Sequence, residues 1–548
     1  MLEVEKSTAA GGDVMAPARV YRRGVNAPTR QAHFRMMLLS AFAGGVLGLS
    51  SPGFGQWYLV WFLIVPFLFL AVSSPTPLVA AIRGLIFGSG YNLVALNWFL
   101  RLNPPYWVGF DDPSARFVLS LVVWFSLSVL QAFSYCLLAA VVRALPISGG
   151  LFRLRSRRFT MPALLTIPFI WTLTSHILFN QTDFLLMPMT VLEYSQYKQL
   201  WLIQMASLVG GVGIEALIVA VNAAIAVVIA TVGGFPPLSK LSAPSRKDAW
   251  AQFVAVMAIV LSAAIFGFTQ LQNRPPSAQA NLSIVQPGHS ARTNQVKRTL
   301  RLHEIWPEFK SAIERSRKGI VIFCETAFPL SSLTNQELVD QLNNIARAKN
   351  TDIVLGSAQM ADLNQMYNTA VSVPARSSIP WSVYKKRYLI PFGEFEPFIL
   401  RTMPLELRQA LHLPEVPKFI PGREGTPLKL SQGGAVPIIC GENVYSLLCA
   451  DGVSPNTNLI VNLSNLTWFE NSMLGELNDA FCVMRAVENR RAFAYASDSG
   501  PSVIIDPYGE IQARSAWSSN TLLTAPVSLR SDVTFFTEMC HQITPFLL

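Results

Sequence analysis

Charge is what this sequence has least of. Only 14% of its 548 residues are Asp, Glu, Lys or Arg, while 51% are hydrophobic. Mean hydropathy is +0.36. Soluble domains carry about a quarter charged residues, so a single ordinary soluble enzyme is excluded. Cysteine is scarce too: residues 136, 324, 440, 449, 482 and 540 form no CxxC pair. That spacing indicates neither a disulfide framework nor a metal site. A Cys440–Cys449 bridge is conceivable in an oxidising compartment, but it would disable a thiol nucleophile and is not expected. His289, His303, His412 and His541 stand in no motif, so no Ser–His–Asp arrangement is available. The net charge of +10 raises nucleic acid as a partner. No aromatic–basic surface supports it, and the basic excess flanks hydrophobic runs, where membrane topology accounts for it.

What is present divides in two. Apolar residues concentrate before about residue 272, and the remainder has a globular mixture. A bilayer core takes about 20 apolar residues per helix. Seven stretches fit: 36–51, 55–73, 77–100, 117–142, 160–179, 203–232 and 250–271. The predicted organisation is a disordered cytoplasmic tail (1–34), a transmembrane domain of about seven helices (35–272), a linker (273–280), a catalytic domain (281–528) and a C-terminal tail (529–548). Arg143, Arg153, Arg155, Arg157 and Arg158 follow the fourth span, and Lys240, Arg246 and Lys247 the sixth. The loop at 180–200 has only Lys198 as a basic residue. The positive-inside rule then sets the N-terminus inside, and an odd number of spans leaves the second half outside, in the periplasm of a two-membrane bacterium. Within the spans, Arg83, Asn97, His176, Glu215 and Asn222 must face protein, water or a headgroup. A transport path would use such residues, but so would satisfied interhelical contacts, and there is no internal repeat, interrupted helix pair or chain of acids.

The second half alternates strands and helices, the pattern of an α/β domain with sites at strand ends. Strands are expected at Asn281–Pro287, Gly319–Cys324, Asp352–Gly356, Val436–Ile439 and Leu459–Asn465. Helices are expected over 292–318, near 334–349 and over Leu477–Arg491, with a last hairpin at Ser502–Gly509. Three strand ends carry chemistry. Val436-Pro437-Ile438-Ile439 runs into Cys440-Gly441-Glu442, a thiol beside a glycine that admits close approach of a substrate. Glu325 ends another strand, and Lys386 lies in Tyr384-Lys385-Lys386-Arg387-Tyr388. A buried cysteine usually only packs, and a Lys–Lys–Arg run is usually a solvated cluster. A carboxylate, an ammonium and a thiol together, however, make a general base, an oxyanion stabiliser and a nucleophile.

Residues 281–528 resemble the nitrilase (carbon–nitrogen hydrolase) superfamily, whose Glu–Lys–Cys set matches Glu325, Lys386 and Cys440. With the membrane half in front, the combination resembles the apolipoprotein N-acyltransferases. Supporting matches are Gly53-Phe54-Gly55, Tyr367-Asn368-Thr369-Ala370, Tyr384 to Glu394, Trp468-Phe469 and Arg485 to Arg491. The resemblance implies a polytopic α-helical membrane domain plus an α/β nitrilase-like domain, an αββα sandwich. It implies an inner-membrane enzyme without cofactor or metal. A phospholipid acyl chain would pass to Cys440 as a thioester, then to the amino group of a diacylglyceryl-cysteine apolipoprotein. Glu394, Gly441, Glu442 and Trp468 would support the site or bind substrate. The chain departs from the family pattern at three places. Gly441 replaces the usual Tyr, Asn465-Leu466-Thr467 precedes the Trp–Phe pair where Asn–Asp is customary, and Leu477-Asn478 replaces a Gln–His pair. It also ends at Leu548 without the customary final membrane helix. A conjugal-transfer paralogue acting on another amine or amide, or an idle membrane scaffold, are the alternative readings.

Overall fold

The computed structural model describes residues 30–102, 112–150, 161–179, 187–232, 244–288, 302–328, 332–396, 398–410 and 419–547. Most of the expected N-terminal tail, the basic residues 153–158 and Lys240 lie outside these ranges, as does the first part of the helix expected over 292–318.

The first half is α-helical. Its longer helices among the described residues are α1 (Arg30–Gly48), α2 (Ile64–Val72), α3 (Pro77–Ala95), α4 (Pro113–Gln131), α5 (Phe133–Ala144), α6 (Ala163–Phe179), α7 (Ala206–Val232) and α8 (Arg246–Gln272). Local chemistry starts several of them. Thr76 and Asp112 each accept a hydrogen bond from the first turn of a helix that begins with proline, and Ser245 does so for α8. Oxygen acceptors at the N-cap satisfy donors that the helix itself leaves free. By length and composition, α3, the continuous α4–α5 rod, α7 and α8 can each cross a membrane. On α8, Val254, Leu261 and Ile265 are more than half exposed, as expected of a helix whose solvent is lipid.

The stretch expected as one span at 55–73 is instead a 3-10 turn (Trp57–Trp61) followed by α2. The polar side chain of Asn222 on α7 accounts for the break. Its Nδ2 donates to the Val60 carbonyl at 2.8 Å and its Oδ1 accepts from Ile64 N–H at 3.0 Å, which satisfies backbone groups that an uninterrupted helix would have paired itself. Arg83 is likewise satisfied, donating to the Leu70 carbonyl and Ser74 Oγ.

Among its described residues the second half has twelve strands: β1 (Ala278–Gln286), β2 (Ile320–Phe323), β3 (Asp352–Met360), β4 (Met366–Val373), β5 (Ser382–Lys385), β6 (Leu428–Leu430), β7 (Gly433–Ile439), β8 (Leu459–Ser464), β9 (Ala492–Ser497), β10 (Val503–Ile505), β11 (Ile511–Arg514) and β12 (Thr521–Leu529). They form two six-stranded sheets, β12-β1-β2-β3-β4-β5 and β11-β10-β9-β8-β7-β6. In each, three neighbouring strands are parallel (β1–β3 and β7–β9) and the flanking pairs are antiparallel.

Period-two alternation explains the layers. Ile320 and Ile322 point into the core between the sheets with Leu459, Val461 and Leu463. Val321 and Phe323 point outward against Phe309 and Ile313 of α9 (Leu302–Arg315) and Leu338 and Leu342 of α10 (Gln336–Lys349). The second sheet is covered by α11 (Ser446–Asp451) and α12 (Leu474–Asn489). The αββα sandwich implied by the resemblance is present. Almost every residue of α12 is buried, because its far side packs on the membrane half. Its apolar side chains share one core with α2, α3, α6 and α7. A helix that is buried all round has no solvent face to keep polar. A final helix, α13 (Phe535–Leu547), packs on α7 and α11.

Candidate active site

Cys440 follows β7 at a backbone φ of +53°, a left-handed conformation that side chains with a Cβ avoid at a cost of about 1–3 kcal/mol. A short 3-10 turn (Cys440–Val444) begins there. The strained corner is held from two sides. Asn462 Nδ2 donates to the Cys440 carbonyl at 3.0 Å. The carboxylate of Glu442 is completely buried and accepts from Ile439 N–H (2.7 Å), Arg387 N–H (2.7 Å), Tyr388 N–H (2.9 Å) and the Tyr384 hydroxyl (2.9 Å). Glu442 thus ties the cysteine turn to the segment that carries Lys386.

Glu325 follows β2 in the neighbouring sheet. Gly356 on β3 leaves room for its backbone: a Cβ there would stand 2.4 Å from the Cys324 carbonyl oxygen and 2.8 Å from Glu325 Cα. Lys386 follows β5, is 1% exposed, and lies 3.6 Å from Glu325 Oε1 and 2.8 Å from Glu394 Oε2. Lys385, by contrast, is exposed and sits 3.9 Å over the Tyr367 ring. Strand alternation separates the two lysines, which the sequence alone does not.

The ionisation states follow from burial and from these neighbours. Burial pushes the Cys440 thiol up to about 12; Glu325 adds to the rise, and Lys386 opposes it without prevailing. The lysine alone therefore leaves the thiol protonated at neutral pH, so a base has to take its proton. Burial also lifts the Glu325 carboxyl above its ordinary range, against the pull of Lys386. For Lys386 burial works against the ammonium, but Glu394, Glu325 and Cys440 outweigh it and raise its pKa. The lysine stays cationic.

Glu325, Lys386, Cys440 and Glu394 are brought together, and Glu442 stands behind them as a structural tie. Gly441 opens beside the thiol turn, where among the described residues a Cβ would meet only Ile390 Cδ1 (2.9 Å) and Met187 Cε (3.5 Å). Met187 comes from the membrane half. Trp468 is half-buried, its ring against Gly393 in the Ile390–Glu394 turn. Sequence reasoning quoted Asn368 only inside a motif. Its Nδ2 donates to Glu325 Oε1 at 2.6 Å and to Glu394 Oε1 at 3.0 Å, bridging the two carboxylates. Ser464, which hydrogen-bonds the Cys440 thiol and accepts from the Tyr495 hydroxyl at 2.9 Å, was missed. The only sign in the sequence was a small polar residue at the end of the strand next to β7.

The family profile for carbon-nitrogen hydrolases matches residues 284–532, and that for the apolipoprotein N-acyltransferase N-terminal domain matches residues 43–224. An αββα half docked on a helical half is the arrangement that these two matches describe, a carbon-nitrogen hydrolase domain behind an apolipoprotein N-acyltransferase N-terminal domain. Two curated relatives are the apolipoprotein N-acyltransferases of Gloeobacter violaceus, 27% identical over 91% of this chain and 89% of its own, and of Geobacter metallireducens, 25% identical over 92% and 91%. The chain is similar to the apolipoprotein N-acyltransferases over both of its halves. Among solved structures, an amidase from Nesterenkonia sp. is similar over 50% of this chain and 98% of its own, at 16% identity and a TM-score of 0.35.

Proposed function

We propose that the protein is an N-acyltransferase working by a Cys440 thioester. The acyl donor is a phospholipid and the acceptor is the free amino group of a diacylglyceryl-cysteine at an apolipoprotein N-terminus. The observation that carries this reading is the meeting of Glu325, Lys386 and a half-buried Cys440 at strand ends, with a membrane-half residue, Met187, beside Gly441.

In the first half-reaction Glu325 takes the thiol proton as sulfur attacks the ester carbonyl of the lipid. Lys386 Nζ, with the Gly441 N–H as a second donor, stabilises the tetrahedral oxyanion. Collapse forms the thioester, and Glu325 returns the proton to the departing hydroxyl of the lysophospholipid. In the second half the amine attacks the thioester, its proton passes to Glu325, and the thiol leaves reprotonated while the amide forms. Glu394 keeps Lys386 charged and placed, and Trp468 is a residue of the substrate loop. Both substrates are lipids, so the site belongs at the bilayer surface. The positive-inside pattern of the sequence supports the periplasmic side of the bacterial inner membrane for it.

The test is a reporter lipoprotein in cells depleted of their own acyltransferase. Wild type is expected to yield the triacylated reporter by mass spectrometry and Cys440→Ala only the diacylated one. A well-expressed wild type that leaves the reporter diacylated contradicts the assignment of acceptor. If its cysteine still becomes acylated, the paralogue acting on another amine is the correct reading.

A further inference from the structure

Where the two halves meet there is a buried polar cluster that the thiol chemistry does not use. His176 projects from α6, Glu215 from α7 and Glu193 from the connecting segment, and their ligand atoms all lie within 4.8 Å of one another. His176 Nε2 is 2.9 Å from Glu215 Oε2 and 3.8 Å from Glu193 Oε2. Glu193 is 2% exposed, yet among the described residues its Oε2, turned toward His176, accepts no hydrogen bond. An unpaired carboxylate oxygen in such a place is costly.

Charge makes the same point. Arg485 is 3.7 Å from Glu193 Oε1 and 3.0 Å from Glu488 Oε1. One guanidinium therefore pairs with two carboxylates, those of Glu193 and Glu488, and Glu215, joined to them through His176, brings the cluster's carboxylates to three. A proton on His176 leaves one negative charge over, whereas a divalent cation on a neutral imidazole leaves none.

We propose that His176 Nε2, Glu193 Oε2 and Glu215 Oε2 bind a divalent transition-metal cation, zinc fitting best. Imidazole with two carboxylates suits zinc, while magnesium and calcium favour oxygen alone. Zinc bonds of about 2.0–2.2 Å set tetrahedral ligand spacings of roughly 3.4 Å, and the observed separations bracket that. Glu215 is already oriented as metal-binding carboxylates are. Trp171 Nε1 and the Leu192 N–H donate to its Oε1 at 3.0 and 3.3 Å, and Ser175 Oγ donates to its Oε2 at 3.0 Å. A small cavity lined by Glu215, Thr174, Ser175 and Thr190 offers a place for a water as fourth ligand. The ion fastens α6, α7 and the segment that carries Met187, and so fixes what stands beside Gly441. Its role is structural. The sequence hides the site because its ligands, at positions 176, 193 and 215, have none of the short spacings of a zinc motif.

The test uses the full chain purified in detergent. Elemental analysis is expected to find one zinc per chain. After chelation, the unfolding temperature should fall by several degrees and recover with zinc chloride. Glu193→Gln, which keeps the shape but removes a charged ligand, should weaken zinc binding by at least about 100-fold and abolish the recovery. His176→Gln serves the same purpose if that variant does not fold. A metal-free wild type whose unfolding is indifferent to both chelator and zinc chloride overturns the proposal, as does equal zinc affinity in wild type and variant.

Discussion

Cys440 takes a φ of +53° at the end of a buried strand and carries a thiol pushed up to about 12. Reactivity at neutral pH must then come from proton transfer within the site. Glu325 is the base in this account, and its carboxyl is lifted above the ordinary range by burial. It works only when ionised, so acylation should be lost as pH falls through that raised value. The acid limb of the rate–pH profile is expected above the ordinary glutamate pKa, and Glu325→Gln should reduce the rate by roughly 10²–10⁴-fold. Asn368 refines the prediction. Its hydrogen bond favours the Glu325 anion, so Asn368→Ala should move the acid limb to higher pH, besides slowing acylation. Stopped-assay rates between pH 5 and 9 would show both. Of the three residues proposed to react, Glu325 and Cys440 were legible because each ends an apolar run, whereas Lys386 was chosen over Lys385 only by the register of the family motif. Asn368 and Ser464 were not, since a polar residue in a strand shows its purpose only once the neighbouring sheet is in place.

Elements are held by polar groups as much as by apolar ones. Asn222 pairs the backbone on both sides of the break before α2. Asn222→Ala should therefore leave a donor and an acceptor unpaired and cost about 1–3 kcal/mol, read as a lowered unfolding midpoint in detergent. The hydrophobic pattern at 55–73 fixed where an apolar segment lies but not that it is broken, because the break depends on a side chain more than 150 residues away. Glu488 on α12 has a similar reach. Its Oε1 accepts from the Gly211 N–H at 2.9 Å, and its Oε2 from Ser446 Oγ at 2.7 Å. Gly210, at a φ of +66°, makes the kink in α7 that exposes that N–H. Arg485 shares the cluster, so Glu488→Ala takes away its nearest carboxylate, leaves the buried guanidinium only the more distant Glu193 at 3.7 Å, and should destabilise by about 3 kcal/mol. Limited proteolysis of that variant is expected to cleave between the halves sooner than in wild type. A charged helix end was visible at Arg485–Arg491 in the sequence. Its alternative reading, a solvated face, does not describe Arg485, Glu488 and Arg491, all of which are buried.

At the scale of the whole molecule, α12 serves as outer layer of the sandwich and as the surface on which the membrane half sits. This places the thiol turn against Met187, an arrangement that the proposed lipid substrates call for. The division into two halves was plain from composition alone. The interface between them was not, because the residues that form it, such as Leu477 and Phe481 on one side and Ile214 and Ile218 on the other, read as ordinary core within their own halves. The account as a whole stands on an acyl group passing through Cys440. The most direct measurement is intact and peptide mass spectrometry of the full chain after incubation with phospholipid vesicles and no acceptor. The account predicts one acyl mass on the Cys440 peptide, released by hydroxylamine, absent in Cys440→Ala and slow to appear in Glu325→Gln. An unmodified Cys440, or an acyl adduct that persists in Cys440→Ala, would contradict it.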